Sequence, residues 1–188
     1  GQHIPPPVLA IPLQESVNLH PSLLPKYRGA APIQMALVNG ETETGMSIIY
    51  VANEMDAGDI ILQESILIDV DDTSQTLEPR LAALGACLMV GAVGLIMAGE
   101  ATRTPQDHTR ATTVMRLTKE DGRINWSHSA VAIRNRNRGF VPWPGTFCEW
   151  PLGSGQTLKI WRVAIRPYTG TPGEVIQLEA KGPVVATG

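Results

Sequence analysis

Cysteine is nearly absent from this chain. Only Cys87 and Cys148 occur, far apart and in no C-x-x-C spacing, which excludes a disulfide scaffold and a cysteine-rich zinc module and fits a reducing compartment. Gly (18) and Pro (15) among 188 residues fall short of a low-complexity composition. A charged N-terminal region followed by an apolar run is missing too, so nothing reads as a signal peptide. The chain opens on Gly1 and stops inside an apparent strand, Val184-Val185-Ala186, so it reads as a fragment cut at both ends. One long uncharged run exists, residues 81–98, and it touches the length of a membrane span. Five Ala, three Gly, no aromatic belt, and Glu78, Arg80 and Glu100 nearby argue instead for a buried helix of a soluble α/β domain.

What is present suffices for a core, with 43% hydrophobic and 18% charged residues. The net charge of −3 hides two halves of opposite sign. Residues 1–100 carry three basic against twelve acidic residues, a balance of −9, and residues 101–188 carry twelve against six, a balance of +6. That asymmetry fits two domains, one of which meets a polyanion, although small domains also fluctuate by several charges.

The pattern of apolar residues predicts buried segments at 8–13 and 16–20, a helix at 32–38 ended by Asn39-Gly40, and strands at 46–52 and 60–68. A long helix follows over about 77–98, and this order suits an α/β sheet. Residues 101–117 are polar and aperiodic and read as a linker. Beyond it, Ser127 can cap a helix of about eleven residues, Pro142-Trp143-Pro144-Gly145 breaks the chain, and short strands near 146–150, 157–165, 173–178 and 184–187 suggest a small barrel.

Asn18 and His20 lie two apart on an expected strand, so they share one face. Asp56 sits in the loop after the strand at 46–52. Loops at the carboxyl ends of strands are where α/β sheets bind ligands. An amide, an imidazole and a carboxylate gathered there suit formation of a tetrahedral centre and removal of a proton from an attacking amine. Taken alone, Asn-x-His is more often a turn or capping pair, and Asp-Ala-Gly-Asp is a common turn composition. A metal site on His20, Asp56 and Asp59 lacks ligand spacing, and no metal is expected.

The stretch NLHPSLLPKYRGAAPIQ, then NGE-x-x-TG, then MDAGDI, then TKEDGRINWSHSAVAIRNRNRGFVPWPGTF resembles the folate-dependent formyltransferase family over nearly the whole chain. The resemblance implies a partial Rossmann-like domain over residues 1–100, a linker at 101–117 and a partial OB-like β-barrel domain over 118–188. It implies Asn18, His20 and Asp56 as catalytic residues and the loop Ser22-Leu23-Leu24-Pro25 as lining for the folate. The implied reaction moves a formyl group from 10-formyltetrahydrofolate to the amino group of methionine on initiator tRNA. Acceptors that are small amines, such as a nucleotide sugar or glycinamide ribonucleotide, form one alternative; a non-catalytic RNA-binding chain forms another. The expected setting is a monomer in the cytoplasm, or else the mitochondrial matrix, away from membranes.

The basic half offers Lys119, Arg134, Arg136 and Arg138 as tRNA contacts, with Arg134 and Arg138 on one helix face and Arg136 turned away. Trp126, Phe140 and Trp143 read as packing residues at the domain junction rather than platforms for bases.

Overall fold

The computed structural model describes residues 5–9, 11–12, 15–151 and 153–188. A short helix α1 (Pro6–Leu9) opens the chain, with Val8 and Ile11 exposed rather than buried. Of the expected buried segment at 8–13, Ala10 and Leu13 lie outside the described residues. Then come β1 (Val17–His20), β2 (Arg28–Gly29), α2 (Pro32–Val38), β3 (Glu43–Tyr50), β4 (Ile60–Leu67) and α3 (Ser74–Ala98).

Strands β1, β3 and β4 form one antiparallel sheet in the order β1-β3-β4. Alternation decides its faces. Val17, Leu19, Met46, Ile48 and Tyr50 pack toward α3, which brings Leu77, Leu81 and Ala92 onto them. Asn18, His20 and Ser47 occupy the intervening positions and so point to the other face. Thr73 caps α3 through a capping box with Thr76, and Gly99 ends it in the left-handed conformation. The helix is long and apolar enough to cross a membrane by length and composition, yet it lies along β3 and β4. It is not buried all round: Val90 and Met97 are exposed on its outer side.

The segment 101–117 is no loose connection. Thr104 pairs with Ile60, and β5 (Thr113–Val114) pairs in parallel with β2. Most of it is exposed, and it is fixed at a few points, with Gln106 and Val114 buried where the chain meets other strands. Gly29 makes the pairing possible: it has φ 113°, and a Cβ there would meet the Val114 carbonyl oxygen at 2.2 Å.

In the second half α4 (Ala130–Phe140) is capped by Ser129, whose side chain accepts from the Ala132 N–H at 3.2 Å. Ser127 was the expected cap, but Asn125 Oδ1 takes the Ser127 N–H at 3.0 Å and holds that residue in a turn. Helix α4 packs on α2, where Gly139 lets the backbones approach: a Cβ there would sit 2.8 Å from the Gln34 carbonyl oxygen. Strands β6 (Thr146–Glu149) and β7 (Thr157–Ile160) form one hairpin, and β8 (Val175–Glu179) and β9 (Gly182–Val185) form another. Among the described residues these two pairs do not join into one sheet, and the strand expected over 157–165 stops at Ile160. Pro167, Gly170, Pro172 and Gly173 lie between the pairs, where prolines remove ladder donors.

Candidate active site

Asn18, His20 and Asp56 meet. Asn18 Nδ2 donates to Asp56 Oδ1 at 3.3 Å, and Asp56 Oδ2 accepts from the Gly29 backbone N–H at 2.9 Å. His20 Nδ1 lies 3.5 Å from Asp56 Oδ2. On its other side His20 Nε2 is 3.0 Å from the Tyr27 carbonyl oxygen. Both partners of the ring are acceptors, so Nε2–H donates to the Tyr27 carbonyl and Nδ1 is the nitrogen turned to Asp56. His20 is buried while Asn18 and Asp56 are half-buried, so the group is reached from solvent past the amide and the carboxylate.

Backbone geometry marks the same place. Among the described residues the only non-glycine residues in the left-handed region are Tyr27 (φ 62°) and Asp56 (φ 53°). Asp tolerates that region through local hydrogen bonds, but Tyr is an outlier there. Each supplies a group to His20: Tyr27 its carbonyl and Asp56 its carboxylate. Conformational cost concentrated at one site is held there by its surroundings.

Behind the loop 22–25 stands a second polar row. Across the sheet His20 pairs with Ser47 and Ser47 with Gln63. Ser47 Oγ donates to the Ser22 carbonyl at 2.6 Å and accepts from the Leu24 N–H at 3.2 Å. Gln63 Nε2 donates to Ser47 Oγ at 2.8 Å and to the Leu24 carbonyl at 3.0 Å. Thr112 closes the far end: its N–H donates to the Pro25 carbonyl at 3.2 Å and its Oγ1 accepts from the Tyr27 N–H at 2.8 Å. Backbone groups of Ser22, Leu24 and Pro25 are therefore already satisfied within the protein. Ser22 and Leu24 are buried, Ser22 completely, and Leu24 also borders the cavity beside this loop.

A cavity of about 260 Å³ opens beside this loop, lined by Leu23, Pro25, Tyr27, Glu41, Gln63 and Arg110 among others. Asn18, His20 and Asp56 are not in its wall, so it does not define the reacting centre. Burial pushes the Tyr27 phenol up to about 12, against the Asn39 amide that donates to it; the Glu41 carboxylate, which accepts its proton at 2.7 Å, adds to the rise. Among the described residues no group of three His, Cys, Asp or Glu is arranged to hold a metal ion.

The arginines expected to face RNA are turned to protein oxygens. Arg134 Nη2 donates to the Val70 carbonyl at 2.6 Å and to Asp71 Oδ1 at 2.8 Å. Arg138 Nη1 reaches the Asp69 and Asp72 carbonyls at 3.3 and 3.4 Å. Arg136 donates from Nε to the Asp121 carbonyl at 2.8 Å, with its guanidinium over the Phe140 ring. The turn before α3 offers carbonyls and a carboxylate directly opposite the exposed face of α4, so charge and geometry favour struts there. Lys119 remains exposed. Of the three aromatics expected to pack, Phe140 is buried and Trp126 half-buried, but Trp143 is exposed, on the turn after α4.

Sequence reasoning missed Tyr27, Gly29, Ser47, Gln63 and Gln106 as builders of this site. Ser47 carried a signal, a single polar residue inside the apolar run MSIIYVA. The others carried none that spacing could reveal.

An antiparallel sheet backed by a helix, with an amide and an imidazole on β1 gathered against a carboxylate from the loop after β3, defines an α/β protein with a polar cluster on one sheet face. Residues 1–93 match the formyl transferase family and residues 116–188 match the C-terminal domain of formyl transferases. The chain belongs to the formyl transferase family. It is 40% identical over 188 residues to the methionyl-tRNA formyltransferase of Geobacter sulfurreducens, covering 100% of this chain and 58% of that protein. Among solved structures it is similar to an N-formyltransferase from Helicobacter canadensis in complex with folinic acid and dTDP-3-aminofucose. That likeness has 26% identity and a TM-score of 0.63, over 66% of this chain and 47% of the other. HypX from Aquifex aeolicus shares the fold with a TM-score of 0.72 at 18% identity, over 100% of this chain and 32% of the other. The chain thus spans less than two thirds of the length of these relatives.

Proposed function

We propose that this chain belongs to an enzyme that transfers a formyl group from 10-formyltetrahydrofolate to the amino group of methionine on initiator tRNA, for translation initiation in a bacterial-type cytoplasm. The observation that carries this reading is the Asp56 carboxylate, fixed by Asn18 and the Gly29 N–H and facing His20 Nδ1. Identity near 40% along the whole chain to proteins named for this acceptor supports the choice of acceptor. On the same reading residues 1–100 are part of a Rossmann-like catalytic domain, residues 118–188 part of an OB-like tRNA-binding domain, and 101–117 the strap between them.

The methionyl nitrogen attacks the formyl carbon, a C–N bond forms, and the carbon's bond to the folate nitrogen breaks. The amine must lose one proton and the folate nitrogen gain one. Asn18 keeps a second amide hydrogen for the oxygen of the tetrahedral centre, where such a donor is worth about a hundredfold or more in rate. His20 Nδ1 takes the proton from the amine, the Asp56 carboxylate facing it stabilises the imidazolium so formed, and the imidazolium gives that proton to the leaving folate nitrogen. Leu23 and Pro25 offer apolar contact to the folate ring, on a loop held stiff by Ser47 and Gln63. The residues present fit such a co-substrate through the cavity beside the loop and the apolar Leu23 and Pro25 side chains.

The test offers labelled formyl donor to the full-length protein together with charged initiator tRNA, a nucleotide amino sugar or glycinamide ribonucleotide. Label is expected on methionyl-tRNA; label on a small amine instead, or on none, overturns the acceptor. In the same assay His20→Ala is expected to lower turnover about a hundredfold or more with tRNA affinity intact. Unchanged turnover would remove His20 from the mechanism.

A further inference from the structure

The side chain of Gln106 is buried and uses both its oxygen and its nitrogen twice. Its Oε1 accepts from Arg28 Nη2 at 2.8 Å and from Arg28 Nε at 3.1 Å. Its Nε2 donates to the Asp56 carbonyl at 2.8 Å and to the Gly58 carbonyl at 2.7 Å. One amide therefore joins the residue after the 22–27 loop to the backbone of the residue whose carboxylate faces His20. Within the 53–59 loop itself the backbone supplies little to hold it: the Ala57 N–H reaches the Glu54 carbonyl at 3.3 Å. Asp56 nevertheless stands at φ 53°, a conformation that persists only when its surroundings fix it. Thr104 anchors the approach to Gln106 through two backbone hydrogen bonds with Ile60, at 2.8 and 3.0 Å.

We infer that Gln106 is a positioning residue for the transfer reaction, holding the Asp56 carboxylate in line with His20 by clamping the backbone beneath it. The inference rests on the proposed role of Asp56. Gln106 adds two donors to a loop otherwise tied to the sheet backbone by the Tyr50 N–H, which donates to the Asp59 carbonyl at 3.0 Å, and it does so from a segment with no chemical motif of its own. Arg28 fixes the amide's orientation: with Oε1 held by the guanidinium, Nε2 must face the loop. Misplacing a catalytic group by about 1 Å can cost about a hundredfold in rate, so loss of this clamp should appear in turnover more than in binding.

Gln106→Glu separates the two halves of the amide. It keeps oxygen acceptors for Arg28 and removes both donors to the Asp56 and Gly58 carbonyls. In the full-length protein, kcat is expected to fall about tenfold or more, with KM for tRNA and for folate within about threefold and Tm within a few degrees. Gln106→Asn, one methylene too short to span Arg28 and the loop, should show the same split and serves if the first variant does not fold. A folded variant with unchanged kcat, or a loss that only tracks the fraction folded, overturns the inference. Asp56→Asn run in parallel distinguishes the two failures. If it leaves turnover intact, the proposed chemistry falls; if it abolishes turnover while Gln106→Glu is silent, only the positioning role falls. The double variant Asp56→Asn/Gln106→Glu should be no slower than Asp56→Asn alone, and a further tenfold loss would contradict action through Asp56.

Discussion

The two halves of this chain differ in depth as much as in charge. In the acidic half Leu37, Ile48, Leu77 and Leu81 are sealed, each at most 1% exposed, between the sheet and its helices. In the basic half Phe140 on α4 and Phe147 and Cys148 on β6 are buried, while Trp161 just after β7 and Leu178 on β8 stand 72% and 79% exposed. The difference follows the tasks proposed for each. Proton transfer needs groups held to within fractions of an ångström, which only a packed layer with polar struts provides. Contact with a long polyanion needs reach and exposed charge, which a thin layer of hairpins provides.

Core truncation should expose that difference most strongly. Leu37→Ala removes a fully buried side chain from the core that carries α2 and α3, at an expected cost of about 2–5 kcal/mol. Leu178→Ala on β8 should stay within about 0.5 kcal/mol. Denaturant unfolding of both variants checks this. Equal losses would mean that the second half hides a core of its own, and the comparison of depth would collapse.

Much of the first half was legible because period and chemistry agree there. Helix α2 falls on the residues its pattern predicts, and β1, β3 and β4 follow apolar runs, that of β3 continuous because both its faces are buried. Asn18 and His20 could be paired from their spacing of two, whereas their approach to Asp56 follows from a sheet register and a left-handed turn that no local pattern encodes. Gln106 was invisible for the opposite reason. A polar residue in an aperiodic segment reads as solvated, and only long-range pairing of Thr104 with Ile60 and of β5 with β2 buries it. In the second half, charge on α4 was readable but its destination was not. Arginines look alike in sequence whether they meet a phosphate or a neighbouring turn.

Arg134 and Lys119 sharpen that point. Lys119→Ala is expected to weaken tRNA binding and flatten its salt dependence by about 0.7–0.9 in log–log slope, the value of one phosphate contact. Arg134→Ala should leave the slope alone and cost at most about 1 kcal/mol of stability, since its partner Asp71 is 90% exposed. Binding titrations at several salt concentrations decide it. If Arg134→Ala flattens the slope as much as Lys119→Ala does, the strut gives way to RNA and α4 belongs to the interface.

The smallest effect lies where the halves touch. Burial would raise the Asp72 carboxyl, but the Asp69 N–H, the Thr76 hydroxyl and the Arg80 guanidinium at 2.5 Å outweigh it and hold the group below the usual carboxylate range. A carboxylate whose pKa is lower folded than unfolded adds stability that is present above the unfolded value of about 3.9 and is lost as pH falls through the folded one. Wild-type Tm should therefore decline below about pH 4 more steeply than that of Asp72→Asn, by a few degrees, in thermal scans from about pH 5 to 3. Because the same turn gives carbonyls to Arg134 and Arg138, its acid loosening should release α4 as well. Parallel acid limbs for the two proteins would show that Asp72 does not hold this joint, and that α4 is kept in place by its packing on α2 alone.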